Sequence, residues 1–165
     1  MQGCYAWWAF KTPRANGMLR VSTHLQRVHT MKTKPVLEFA DIKAIAAAAE
    51  AEALKNNWAV SIAIVDDGGH LLSYQRLDGA APISAHIAPA KARTAALGRR
   101  ESKVYEDMIN GGRVSFLSAP DLSGMLEGGV PIVKDGQCLG AVGVSGVKSN
   151  EDAQIAKAGI AAIGL

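Results

Sequence analysis

The sequence predicts an α+β fold in which helices cover both faces of an antiparallel β-sheet. Two pairs of β-rich segments are each joined by a tight turn, DDGG at residues 66–69 and DG at residues 135–136. Strands joined by tight turns run antiparallel, which excludes the parallel sheet of a doubly wound fold. The strand segments SIAIV and LGAVGV are apolar on both faces. Since such strands are buried on both faces, we expect helices on each side of the sheet.

Hydrophobic spacing predicts the first helix and the first hairpin. Residues 41–57 place apolar side chains three and four positions apart, as on one face of a helix: Ile42, Ile45, Ala46, Ala49 and Ala53. We expect Asp41 to cap this helix and the Asn56-Asn57 pair to end it, because Asn tolerates the left-handed conformation that closes helices. Residues 60–65 and 70–76 then predict the two strands of the hairpin.

Residues 82–100 predict a second helix after a short loop. Its apolar row recurs at spacings of four, three, four and three: Ile83, Ile87, Ala90, Thr94 and Leu97. Thr94 is polar in this predicted buried row, so its hydroxyl either bonds back to a preceding carbonyl or meets another group. Pro89 lacks a backbone N–H and should kink the helix near its start.

The second hairpin follows a less regular segment, residues 104–127, which we expect to form short pieces. Residues 130–134 and 137–144 predict its two strands, because the Asp-Gly pair between them is a strong hairpin signal. Glycines in the second of these strands weaken it as an isolated strand but let another backbone or a ligand come close.

A final helix is predicted at residues 151–163. Ser149 or Asn150 can cap it, and the acidic pair Glu151 and Asp152 in its first turn suits the positive end of the helix dipole. The predicted order is therefore helix, hairpin, helix, short pieces, hairpin and helix.

Charge divides the chain into a leader, residues 1–30, and a single domain, residues 31–165. The leader holds four of the 18 Lys and Arg and none of the 15 Asp and Glu, so the domain carries 14 basic and 15 acidic residues. The domain therefore lacks the excess of basic charge that nucleic-acid binding requires. No apolar stretch reaches the roughly 18 residues of a membrane helix. We expect neither nucleic acid nor a membrane as a partner.

The leader is interpreted as lying outside the folded domain, because it has no helical or strand periodicity. Three origins stay open: upstream translation or a cloning remnant before a native start at Met31, a disordered arm, or a targeting segment. A secretory signal would need an apolar core of about 7–15 residues, which the leader lacks. We therefore expect the protein in the cytoplasm, with secretion or organelle targeting left open.

Three longer motifs follow one another along the domain: VDDGGHLLSYQRLDGA at residues 65–80, AKARTAA at residues 90–96 and GGVPIVKDGQCLGAVGVSG at residues 128–146. In this order and spacing they resemble the GlcG-like, HbpS-like family of haem-binding or haem-degrading proteins, which also occurs as the C-terminal domain of PduO-type proteins. The resemblance implies a profilin-like layout, an antiparallel sheet of about five strands flanked by helices, and a homo-oligomer. For some members it implies haem as a ligand, and for others only an association with glycolate or propanediol metabolism.

The candidate site lies on the predicted second helix. The resemblance matches Thr94 to a threonine thought to face the haem iron in an HbpS-like member. Haem requires an apolar slot, an axial donor and cations for its propionates. His86, just over two turns before Thr94, is the second candidate iron ligand, and a surface histidine is the competing interpretation. Lys91 and Arg76 are candidate propionate partners, although surface ion pairs would explain them equally well.

Three functions are compatible with the sequence. The first is binding, sensing or degradation of haem. The second is an accessory protein or enzyme of glycolate or propanediol metabolism that takes a small-molecule ligand, and the third is a ligand-free oligomeric interaction module. No motif demands catalysis, so no catalytic residue is assigned. We expect Asp66 and Asp67 to serve the turn, His70 to be a solvated hairpin residue and Cys138 to be a buried structural thiol.

Overall fold

The computed structural model describes residues 31–165, so the predicted leader lies outside the described residues. The helices and strands follow one another as α1 Phe39–Lys55, β1 Ser61–Asp66, β2 Leu71–Arg76, α2 Ser84–Gly98, α3 Lys103–Asn110, a 3₁₀ helix Val114–Ser118, β3 Gly129–Lys134, β4 Gln137–Ser145 and α4 Ser149–Ala161. The predicted α+β fold is confirmed, and the predicted order of helices and hairpins is observed. Within residues 31–165, no helix is both long and apolar enough to cross a bilayer.

The sheet has four antiparallel strands in the order β2-β1-β4-β3, one fewer than the five or so that the family resemblance implies. Both predicted hairpins are present, and the two central strands, β1 and β4, pair from Ser61 with Ser145 to Asp66 with Gly140. Asp135 and Gly136 have φ angles of 49° and 73°, as the tight turn of a two-residue hairpin requires.

Helices cover both faces of the sheet, as the apolar strands predict. Helices α1 and α4 pack on one face, which we call the aliphatic face, and α2 packs on the other, the alanine face. The aliphatic face is built mainly from branched side chains, including Ile45, Ile62, Ile64, Val142, Val144 and Ile155. The alanine face consists of Ala63, Val65, Ala88, Ala92, Ala95, Ala96 and Ala141.

Two helices begin earlier than the sequence predicts. Helix α1 starts at Phe39 with Glu38 at the N-cap position, and Asp41 lies inside the first turn, where its Oδ2 accepts the Glu38 N–H at 2.9 Å. Asp41 therefore closes the helix start from within rather than from the cap position. Helix α4 starts at Ser149, after Lys148 in the cap position.

The predicted buried row of α2 is wrong at its two ends, although Thr94 in its middle is fully buried as predicted. Ile83 is 61% exposed and Leu97 38% exposed, whereas Ala88, Ala92 and Ala95 are fully buried against the sheet. The helix is rotated relative to the prediction because only small side chains fit between it and the strands. We call the apolar residues on its other side the outer row: Ile83, Ile87, Ala90 and Leu97.

Candidate functional site

Helix α2 is held unusually close to the backbone of its neighbours. A Cβ atom on Gly143 of β4 would collide with the carbonyl oxygen of Ala88 and lie 2.8 Å from the Cβ of Ala92. On another side of the helix, a Cβ on Gly124 would collide with the backbone at Ala90 and Lys91. Close backbone approach is a common reason for glycine in a strand or loop. The position of every candidate residue on α2 is therefore set by these contacts.

Thr94 is buried by the segment that contains Gly124. Its side chain is 0% exposed, and its Oγ1 accepts a hydrogen bond from the Gly124 N–H at 3.2 Å. The sequence left open whether this hydroxyl bonds back to a preceding carbonyl of α2 or meets another group. The structure shows a contact with another group, the backbone N–H of Gly124. A ligand could reach the Thr94 oxygen only if the Gly124 segment moved.

Lys91 points into the protein, so its predicted surface position is wrong. It is 3% exposed, and its Nζ donates to Asp152 Oδ2 at 2.8 Å and to the carbonyl oxygen of Val144 at 3.0 Å. Asp152, 2% exposed, also accepts the N–H of Val147 at 3.2 Å. The side chain of Lys91 passes beside Gly128, where a Cβ would lie 2.8 Å from Nζ. The ion pair joins α2 on the alanine face to α4 on the aliphatic face.

The surroundings of this ion pair decide its energetic role. Burial raises the pKa of Asp152, and the hydrogen bond and charge of Lys91 oppose that rise. Taking two charges out of water is costly, so a buried pair adds little net stability, but losing one partner leaves the other charge uncompensated. Lys91 is therefore a structural residue here and is not free to meet a propionate.

His86 and Arg76 are both exposed and lie near the same end of α2. Arg76 pairs with Ser61 in the β1–β2 register, and the Ser61 Oγ lies 2.8 Å from the Oγ of Ser84 in the first turn of α2. His86 follows two positions later in the same turn. The structure thus brings Arg76 and His86 to one end of the helix.

Thr94 belongs to a different part of the same helix. Eight residues separate it from His86, which corresponds to a rise of about 12 Å along the axis and a rotation of about 80°. The two candidate iron ligands therefore lie at different heights along α2 and point in different directions. Two ligand atoms of one metal ion are at most about 4 Å apart, so one chain does not present His86 and Thr94 to the same iron.

The first hairpin turn holds a histidine and a carboxylate in contact. Asp66 Oδ1 accepts the backbone N–H groups of Gly68 and His70, each at 2.8 Å, and the His70 Nδ1 lies 3.1 Å from both carboxylate oxygens. The slight burial of Asp66 opposes ionisation, but these hydrogen bonds outweigh it and lower its pKa. Asp67 pairs with Lys34. Asp66 thus stabilises the turn, and Asp67 makes an ion pair beside it. In the part of the chain that the structure describes, no three His, Cys, Asp or Glu residues are grouped as a metal site.

The exposed side of α2 has the features that a haem group needs, in an open arrangement. The outer row supplies an apolar surface, His86 an accessible imidazole, and Arg76 a solvated cation. Lys91 is unavailable and Thr94 is covered. These residues fit a planar apolar group that lies on the helix surface better than one enclosed in a slot.

The ion pair between Lys91 and Asp152 is the feature that the sequence prediction missed. One signal was available: Lys91 lies three residues after Ala88 and four before Ala95, which places it beside the buried alanine stripe. Its partner lies 61 residues further along the chain and has no local signal beyond its position in the first turn of α4.

Comparison with known proteins relates these features to other chains. A family model described as "Haem degrading protein HbpS-like" matches residues 37–161. The Protein GlcG of Escherichia coli (strain K12) is 62% identical over 115 residues, which cover 70% of this chain and 85% of that protein. A double mutant of HbpS from Streptomyces reticuli superposes with a TM-score of 0.73 at 28% identity, covering 95% of this chain and 99% of that chain. The PduOC:Heme complex superposes with a TM-score of 0.70 at 28% identity, covering 78% and 95%.

Proposed function

Because the chain belongs to the HbpS-like family, we propose that it binds haem on the outer row of α2. The observation that carries this proposal is the exposure of Ile83 and Leu97 on the same helix side as the imidazole of His86. Large apolar side chains left in water next to a metal-binding donor favour an apolar ligand that carries a metal. The resemblance to a protein whose structure is a complex with haem supports the same ligand class.

In this proposal the four candidate residues have unequal roles, which we assign from their exposure and contacts. His86 is the accessible iron donor, and Arg76 is the cation at the same end of α2 that can face a propionate. Thr94 would contribute only after the Gly124 segment moved, and Lys91 would act indirectly, by fixing α2 through Asp152. Bound haem would supply an iron centre, and the residues of this chain would bind and orient it. The proposal covers binding and assigns no degradation step.

A haemin titration of the full chain tests this proposal. We expect a shifted Soret band that saturates near one haem per chain, and we expect His86→Ala to remove most of the shift. Thr94→Val should preserve it, since Thr94 is covered. The matched control is His70→Ala, which removes another exposed histidine and should leave the titration unchanged. A flat titration, or equal losses for His86→Ala and His70→Ala, would contradict the proposal.

A homo-oligomer is part of the same proposal. The outer row leaves Ile83 and Leu97 exposed, and a second copy of the chain packed beside the haem site would bury them. Sizing by light scattering should then give a defined multimer, and Ile83→Asp should dissociate it. A monomer at all concentrations would remove this part of the proposal while leaving the haem titration valid.

The metabolic alternative remains a prediction from the sequence. The Protein GlcG of Escherichia coli is similar to this chain over 115 residues, and the Corrinoid adenosyltransferase PduO of Salmonella typhimurium is similar over 144 residues, which cover 43% of that protein. An accessory role in glycolate or propanediol metabolism should appear as a thermal shift with glycolate or 1,2-propanediol. Haem binding without any such shift would favour the haem proposal over this alternative.

A further inference from the structure

A surface cavity lies away from the outer row, where α1 ends and β2 runs into the following loop. Its volume is about 400 Å³, within the range of small-ligand sites. We call it the Trp58 cavity. Its lining residues are Glu50, Leu54, Asn57, Trp58, Ala59, Leu77 and Asp78.

The walls of the Trp58 cavity are fixed by the backbone. Asn57 has a φ angle of 55° and closes α1, and the N–H of Trp58 then donates to the carbonyl oxygen of Ala53 at 2.9 Å. On the opposite wall, the N–H of Leu77 donates to the carbonyl oxygen of Val60 at 2.9 Å. Trp58 and Leu77 both pack against the core of the aliphatic face. The indole is therefore held at the cavity by the fold.

The charge in this cavity has one sign. Glu50 and Asp78 are its only ionisable lining residues, and both are acidic. Within residues 31–165, the structure shows neither carboxylate in a hydrogen bond or ion pair. Glu52 on the same helix, by contrast, accepts hydrogen bonds from Asn56 and Gln154 and pairs with Lys55. The Trp58 cavity thus combines two carboxylates left to solvent with an aromatic wall.

We propose that the Trp58 cavity binds a small organic cation that carries a quaternary or primary ammonium group. An aromatic face attracts such a cation through its quadrupole, and the two carboxylates add charge attraction. Leu54 and Leu77 would cover the methyl or methylene groups of the ligand. The same charges repel carboxylate ligands and haem propionates. This site is therefore distinct from the haem site proposed on α2 and does not depend on it.

Trp58 itself can report binding. The chain has three Trp residues, and Trp7→Phe with Trp8→Phe leaves Trp58 as the sole indole of the full chain. In this background, choline should change the Trp58 fluorescence saturably at millimolar concentrations. Its neutral isostere, 3,3-dimethylbutan-1-ol, has the same shape without the charge. Its affinity should be at least about fivefold lower than that of choline. Equal responses to choline and the isostere would overturn the proposal, as would the absence of saturation.

Charge-neutralising variants locate the site. Glu50→Gln and Asp78→Asn should each weaken choline binding about two- to fivefold, because each removes one partly solvated charge interaction. Glu106→Gln is the matched control, since Glu106 lines another cavity, beside α3. Unfolding midpoints of all three variants check that the fold is intact. If Glu106→Gln weakened choline binding as much as Glu50→Gln, the assignment to the Trp58 cavity would be wrong.

Discussion

The two faces of the sheet are packed by opposite means. The aliphatic face places α1 and α4 over large branched side chains, with Ile45, Ile62 and Ile155 almost fully buried. The alanine face places α2 over alanines, over Gly143 of β4 and over Gly129 of β3, so that helix and strand backbones nearly touch. Large side chains fill the space between helices and sheet on the aliphatic face, whereas the backbones of α2 and the strands lie close together on the alanine face.

This difference explains where candidate sites lie. On the aliphatic face, α1 and α4 place Ile42, Ile45, Ile155 and Ile160 in the core, and Phe39 and Leu54 of α1 remain exposed at its two ends. On the alanine face, α2 uses its small residues for the core, so its larger residues, Ile83 and Leu97, remain in solvent as the outer row. A helix that packs through alanine keeps its larger apolar residues free for a ligand or a partner.

Removing Lys91 should have the largest effect, because its ion pair joins the two faces. Lys91→Met leaves Asp152 buried without a counter-charge and should lower the free energy of unfolding by about 3–5 kcal/mol. Adding Asp152→Asn to the same chain should recover most of this loss, since the amide oxygen can still accept the Val147 N–H. Denaturant titrations measure both.

The control for the buried ion pair is a surface pair in the same chain. Lys103 Nζ lies 2.9 Å from Asp107 Oδ1, and both side chains are about half exposed. Lys103→Met should change stability little, because water screens such pairs. A loss for Lys91→Met no larger than that for Lys103→Met would show that the Lys91–Asp152 pair does not join the faces.

Truncation of the aliphatic core should have the next largest effect. Ile62→Ala removes buried volume from the aliphatic face and should cost about 2–5 kcal/mol, because the cavity can collapse only partly. Ile83→Ala makes the same chemical change on the exposed outer row and should stay within about 0.5 kcal/mol under conditions in which the haem-free protein is monomeric. Equal losses in urea titrations would mean that the outer row is buried and that α2 faces the sheet differently.

Adding volume should be the damaging change on the alanine face. Gly143→Ala introduces a Cβ against the Ala88 carbonyl oxygen and should cost about 1–3 kcal/mol. A second change, Ala92→Gly, removes the neighbouring Cβ but leaves the backbone clash, so we expect no rescue in a double-mutant cycle. Full rescue would show that side chains, rather than backbones, set the spacing of α2.

The smallest effect concerns the thiol on the alanine face. Burial raises the pKa of Cys138, and its Sγ lies 3.4 Å from the carbonyl oxygen of Gly140. Because the thiolate is the reactive form, Cys138 in a Cys4→Ser chain should react with a disulfide reagent at least about tenfold more slowly than free cysteine at neutral pH. Unfolding in urea should restore the rate. Fast reaction of the folded chain would indicate that this face opens.

The success of the sequence predictions depended on how local each signal was. Both hairpins were predictable because turn chemistry at residues 66–69 and 135–136 acts over a few residues. The orientation of α2 was not, since the helix carries two apolar rows and nothing within it shows which one meets the sheet. The decisive residue, Gly143, lies in β4, far from α2 in the sequence.

Some features of the candidate site were also predictable from local sequence, and others depend on distant residues. His86 and Arg76 are candidates from the sequence, each with a surface position as the competing interpretation, and the structure has both exposed near one end of α2. The ion-pair partner of Lys91 and the segment that covers Thr94 could not be foreseen, because Asp152 and Gly124 lie 61 and 30 residues away.

Local pattern and turn chemistry were enough to establish the element order, the antiparallel pairing within each hairpin and the burial of β1 and β4 on both faces. The rotation of α2, the ion pair between the faces and the meeting of Glu50, Trp58 and Asp78 around one cavity arise only when distant segments pack together. Periodicity is a property of one segment, whereas close approach and charge pairing depend on two. For this protein, close approach and charge pairing between distant segments determine which residues are exposed and could bind a ligand.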